Sequence, residues 1–114
     1  MKLAQDNTVS HWLQEFISDP DSFDWDEGNI RKNLKHGYSS EQVESLFWQT
    51  EYIFAGKIIE PAHDEWRGLI LGLVDGDRAT ALIFTRRGEK LRPISCRPMR
   101  ENEWRFYEKT IQEG

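Results

Sequence analysis

Val9, Trp12, Leu13, Phe16 and Ile17 recur at helical spacing and predict an amphipathic helix from about Thr8 to Ser18. Thr8 is its expected N-cap. Asp19-Pro20-Asp21 is its expected stop, because the residue before a proline is pushed out of the helical region. The stripe either docks on the core or forms an arm that covers the chain itself or a partner. A second helix is expected after Phe23-Asp24-Trp25, capped by Asp26 and ended by Gly37. It carries apolar Ile30 and Leu34 and a basic face of Arg31, Lys32 and Lys35. A third opens at Ser39 with Gln42, or Ser40 with Val43, and presents Val43, Leu46 and Phe47, with Trp48 at its end.

From Glu51 the period becomes strand-like. Four strands are expected, at Tyr52–Ile59, Trp66–Val74, Arg78–Thr85 and Glu89–Cys96, joined at two places by short glycine-containing turns. Pro93 cannot donate to a ladder, so the last strand belongs at an edge or carries a bulge. After Pro98 a helix is expected over Met99–Ile111, with Trp104, Tyr107 and Ile111 facing inward. Helices, an antiparallel meander and a closing helix make an α+β architecture.

Composition supports one folded domain. The chain has 114 residues, of which 38% are hydrophobic and 31% charged, and its five tryptophans supply large buried rings. No apolar run approaches the ~20 residues of a membrane span. The first residues lack the pattern of a signal peptide. The single cysteine, Cys96, permits no internal disulfide, so a cytoplasmic location is expected and Cys96 is read as a core thiol.

A net charge of −5 argues at first against nucleic acid, but the charges are segregated. Residues 1–30 carry one base against seven acids, whereas residues 86–105 carry seven bases against three acids. Local potential, rather than the sum, governs association with phosphates. The acidic first segment can therefore lie over the basic sheet and mask it.

Few chemistries fit the remaining residues. The three histidines are scattered and there is no second cysteine, so no metal site is expected. There is neither a P-loop nor a dinucleotide fingerprint, and no cofactor is expected. What stands out is arginine around the strands. Arg67 begins one strand, Arg86 and Arg87 sit in a hairpin, and Arg92 and Arg97 bracket the last strand. Guanidinium forks match phosphate oxygens and stabilise the charge of a phosphoryl transition state. Arg86 and Arg87 are candidate RNA contacts. Lys35, His36 and Tyr107 are candidate proton-handling or phosphate-binding groups. Arg92 and Arg97 are five positions apart, so a regular strand would send them to opposite faces; a bulge at Pro93, or Arg97 beyond the strand end, brings them together.

Several segments, in order, resemble the BrnT-like toxins. Phe23-Asp24-Trp25-Asp26 and Asn33-Leu34-Lys35-His36-Gly37-Tyr38-Ser39 are similar to that family's opening signature. Glu65-Trp66-Arg67, Thr85-Arg86-Arg87-Gly88-Glu89, Arg92-Pro93-Ile94-Ser95-Cys96-Arg97 and Glu103-Trp104-Arg105-Phe106-Tyr107-Glu108 resemble its later ones. The resemblance implies a RelE-like fold over residues 23–114, preceded by an extension over residues 1–22. It implies a toxin of a type II toxin–antitoxin system that cleaves RNA without a metal and arrests growth. The implied partners are a ribbon-helix-helix antitoxin, an RNA substrate and, only through the antitoxin, operator DNA; no membrane is involved. Lys35, Arg67, Arg92 and Arg97 take the implied phosphate or transition-state roles, with His36 and Tyr107 beside them. Where the family often has His-Thr, this chain has Phe84-Thr85, which removes one acid–base group. The alternative is a catalytically weak or inactive module of the same fold, acting through its antitoxin in operon regulation.

Overall fold

The computed structural model describes residues 1–16, 19–48 and 51–114. The helices are α1 (Asn7–Gln14), α2 (Glu27–Lys35), α3 (Ser40–Ser45) and α4 (Glu101–Glu113). The strands are β1 (Lys2–Ala4), β2 (Ile53–Glu60), β3 (Gly68–Val74), β4 (Arg78–Arg87) and β5 (Lys90–Pro98). They form one antiparallel sheet in the order β1-β2-β3-β4-β5. The α+β class is as expected, but the sheet has five strands where the pattern declared four. The additional strand is β1, whose three residues are too few for alternation to stand out. Its approach to β2 requires Gly56, which has φ 136°; a Cβ there would lie 2.7 Å from the Ala4 carbonyl oxygen.

Two apolar layers follow from the period-2 alternation of the strands. On one face, Ile70, Val74, Leu82, Phe84, Leu91 and Cys96 pack under Val9 and Leu13 of α1, Tyr38, and Val43 of α3. Phe16, Phe23, Phe47 and Tyr52 join them in edge-on and tilted ring contacts. On the other face, Ile58, Leu69, Leu71 and Ala81 pack under α4, which contributes Tyr107 and, partly, Ile111. Each fully buried Leu, Ile or Phe stabilises the fold by roughly 1.5–3 kcal/mol.

The local devices depart from expectation in instructive ways. Asp6, rather than Thr8, caps α1; its Oδ1 accepts from the Val9 amide at 3.0 Å while its Oδ2 accepts from Trp66 Nε1 at 2.8 Å. A carboxylate that secures both a helix start and a distant indole outcompetes a hydroxyl inside the first turn. Ile17 and Ser18 lie outside the described residues. Asp26 and Ser39 do cap α2 and α3, each in a reciprocal capping box, and Gly37 adopts φ 87° just past α2.

Leu34 is 55% exposed, contrary to its place in the expected stripe. Helix α2 docks instead through buried Asn29 and Asn33. Asn29 Nδ2 donates to the carbonyls of Asp24 (3.0 Å) and Pro93 (2.8 Å). The helix lies beside an edge strand whose outward carbonyls need donors, so an amide serves better there than leucine. Trp48 and Trp104 are likewise exposed, and the inward face of α4 is Glu103 and Tyr107.

Candidate functional site

Pro93 lies on an edge strand that also carries a bulge. The β4–β5 register passes from Ile83–Ser95 to Phe84–Pro93, leaving Ile94 as the extra residue. The bulge decides where the arginines point. Arg92 pairs with Thr85 and Arg97 with Ala81, and those partners are four residues apart on β4. Cross-strand partners share a face, so Arg92 and Arg97 emerge on the same side despite their odd spacing. That side is the one bearing α4.

Gly68 pairs with Phe84, and one further step in register sets Arg67 opposite Thr85. Thr85 fastens the edge of this row, its hydroxyl donating to the Trp66 carbonyl at 2.6 Å. Arg67, Thr85 and Arg92 therefore form a cross-strand row on the α4 side, with outer Cα atoms about 10 Å apart at the usual strand spacing. Arg87, two residues beyond Thr85 on β4, joins them on that face. The apolar residues under α4, Leu69 and Ala81 among them, lie next along the same strands. A buried threonine as floor and arginines on either side make a shallow basic cradle.

Acidic groups surround these cations. Glu65 stands 3.5 Å from Arg67 and 3.4 Å from Arg87. Arg92 lies 2.9 Å from Asp26 and 3.6 Å from Asp24, with its side chain 17% exposed. The Asn29 amide, ahead of Arg92, holds the Asp26 carboxyl below the usual carboxylate range. The Arg67 side chain is 26% exposed, yet its Nε is buried and donates to no acceptor among the described residues.

The other residues suggested by the sequence lie elsewhere. Arg86 points to the opposite face, where its guanidinium lies over the Trp12 ring at 4.6 Å and reaches Glu89 at 3.2 Å. Helix α1 thus covers the side away from the cradle, whereas Asp24 and Asp26, from the same acidic first segment, lie against Arg92. Arg97 spends both terminal nitrogens on Glu103, at 2.7 and 2.9 Å. Its pKa is raised chiefly by that bond. Burial alone would raise the Glu103 carboxyl, but Arg97 and the Arg100 amide outweigh it and hold the group below its ordinary value.

Lys35 and His36 are exposed at the end of α2. That end is anchored to the start of β4, through Arg78 to the Gly37 carbonyl (2.9 Å) and Tyr38 to Thr80 (3.2 Å). Thr80 and Thr85 are five strand residues apart, about 17 Å. Tyr107 is buried under α4, and burial followed by the charge of Glu51 pushes its hydroxyl pKa up. Cys96 is buried as expected, and burial pushes its thiol up to about 12.

The structure thus gathers Arg67, Arg87 and Arg92, and separates them from Lys35, His36, Arg86 and Tyr107. Arg97 shares their face, where both its terminal nitrogens bond Glu103, just as Arg92 is paired with Asp26 and Arg67 and Arg87 with Glu65. Phe84 lies on the opposite face, in the ring cluster with Phe54 and Trp66. Sequence reasoning gave no role to Thr85 or Glu65; the signal for Glu65 was its place two residues before Arg67, opposite a strand pairing that sequence does not display.

A family model described as the ribonuclease toxin BrnT of type II toxin–antitoxin systems matches residues 25–103, more than half of the chain. A search of curated proteins finds no match.

Proposed function

The chain belongs to the BrnT family of ribonuclease toxins of type II toxin–antitoxin systems, and from that premise we propose that it is an endoribonuclease using the Arg67–Thr85–Arg92 cradle to hold the scissile phosphodiester. Family membership carries with it an antitoxin partner. Among the described residues, no helix is long and apolar enough to cross a membrane.

The observation that carries the proposal is the cross-strand row itself. The residue just before β3 and one on β5 bring arginines to either side of buried Thr85, on the face that bears α4. RNA supplies its own nucleophile, the ribose 2′-hydroxyl. Catalysis then needs positioning, removal of a proton, and stabilisation of a pentacoordinate phosphorus. Arg67 and Arg92 are assigned to the non-bridging oxygens and Arg87 to an adjoining phosphate. These fixed charges can stabilise the transition state without a metal. Arg97 is assigned to holding α4 against the sheet, and Lys35 and His36 to RNA running past the far end of β4. A RelE-like relationship, a ribbon-helix-helix antitoxin and growth arrest in the cytoplasm belong to the same proposal, on the strength of the sequence resemblance.

The test is growth of cells after induction of this chain, beside an Arg67→Ala/Arg92→Ala variant, with RNA cleavage by each purified protein. Arrest and cleavage by the parent, both lost in a variant that melts normally, are expected. Unimpeded growth with folded, abundant parent and no cleavage would overturn the proposal and favour an inactive module acting through its partner.

A further inference from the structure

We propose that Glu65 is the general base of this site, removing the proton from the ribose 2′-hydroxyl. The inference rests on the ribonuclease function proposed above and adds the proton-transfer step that the arginines cannot perform. Guanidinium does not deprotonate in proteins, so Arg67, Arg87 and Arg92 can stabilise charge but cannot accept a proton. A base must therefore come from another group on the same face.

The carboxylates near the cradle differ in how they are committed. Asp26 accepts from the Asn29 amide at the start of α2 and from Arg92 at 2.9 Å. Asp24 lies against Arg92 on the outer side of β5. Glu103 is locked in two short bonds to Arg97. Glu65 instead stands beside two arginines at 3.4 and 3.5 Å, longer than close charge-assisted bonds, with its side chain 39% exposed. Its oxygens keep lone pairs and access, while the flanking cations fix the direction in which it faces. Lys35 and His36, the bases suggested by sequence, are fixed at the opposite end of β4.

The step balances without a further reactant. A Glu65 oxygen takes the 2′-hydroxyl proton, and the 2′-oxygen forms a bond to phosphorus. The bond from phosphorus to the 5′-oxygen breaks, and that oxygen leaves with a proton from solvent water. The products are a 2′,3′-cyclic phosphate and a 5′-hydroxyl. Glu65 returns its proton to solvent, and nothing is oxidised or reduced. Arg67 and Arg92 offset the charge that grows on the non-bridging oxygens.

The experiment uses the full chain with a 5′-labelled mixed-sequence RNA 20-mer, following cleavage against pH and identifying the product termini. Glu65→Gln is expected to lower kcat by about 100-fold or more, the usual worth of a general base, with KM within about threefold. It should also abolish the acidic limb of the pH profile. Glu65→Asp should keep that limb with reduced kcat. Thermal melting of each variant guards against a folding defect, and gel shift with the all-2′-deoxy strand reads binding separately. Glu65→Gln that retains a third of parental kcat, or keeps the acidic limb, overturns the base assignment while leaving the ribonuclease reading intact. Products lacking the cyclic phosphate overturn it as well. A folded parent that cleaves no RNA overturns both.

Discussion

Replacing Arg97 with alanine is expected to loosen the fold before it affects any chemistry. Glu103 has 8% side-chain exposure, and Arg97 supplies two of its bonds, at 2.7 and 2.9 Å. Removing the guanidinium leaves a buried carboxylate supported only by the Arg100 amide at 2.7 Å. Breaking one side of a buried pair costs about 3 kcal/mol. With a urea dependence of about 1.5 kcal/mol per molar for a chain of this size, the unfolding midpoint should fall by about 2 M. Glu103 has a depressed pKa in the folded state, so its stabilisation is fully present above the ordinary glutamate value, about 4.3, and disappears as pH falls through the folded value. The gap between parent and Arg97→Ala should therefore be widest at neutral pH and shrink toward pH 3. The measurement is urea unfolding by tryptophan fluorescence at both pH values, with Glu103→Gln and the double variant completing a cycle. A midpoint shift below about 0.3 M at pH 7, or a gap that fails to narrow on acidification, would refute the reasoning.

Further expectations rest on other contacts. A Cβ at position 68 would meet Trp66 at 2.6 Å, Phe84 at 2.8 Å and Phe54 at 3.0 Å, so Gly68→Ala should destabilise by roughly 1–3 kcal/mol in urea unfolding. The Cys96 thiol, pushed up to about 12 by burial, should resist an aromatic disulfide reagent at pH 8 in the native protein and react promptly in denaturant. Arg86 and Arg87 should separate cleanly. Arg87→Ala should reduce the slope of log affinity for single-stranded RNA against log salt by about 0.7, whereas Arg86→Ala should leave the slope unchanged and lower the melting temperature.

The class of fold was legible because apolar strand-like runs are separated by short glycine turns, Gly37 ends α2, and Pro98 marks the passage from the last strand to the closing helix. Strand ends agreed within a few residues of the hydrogen-bonded ladder. Less visible was anything that depends on pairing between distant segments. Lys2–Ala4 becomes a strand only because β2 offers it an edge. The burial of Asn29 follows from the Pro93 carbonyl on β5, which its amide reaches from a distant segment. The same limit governed the site. Arginine near the strands was apparent, but whether Arg86 or Arg87 faced the cradle follows from strand parity, and whether Arg92 and Arg97 agreed follows from one bulged residue. Lys35 and His36 are far from Arg67 because α2 runs beside β5 toward the start of β4, a path that local sequence does not encode.

The two margins of the sheet also bear on how the protein behaves at high concentration. An open margin with free amides and carbonyls is a template for another chain, and long flat margins seed aggregates. Here β1 offers three residues, begins at exposed Lys2 and is broken by a register shift between Lys2 and Leu3. On the opposite margin, Phe23 bridges Leu91 and the Asn29 amide occupies the Pro93 carbonyl. These contacts shorten the stretch of each margin that a second copy could extend. The short, bulged β1 and the occupied groups of β5 are features that oppose edge-to-edge pairing of one copy with another.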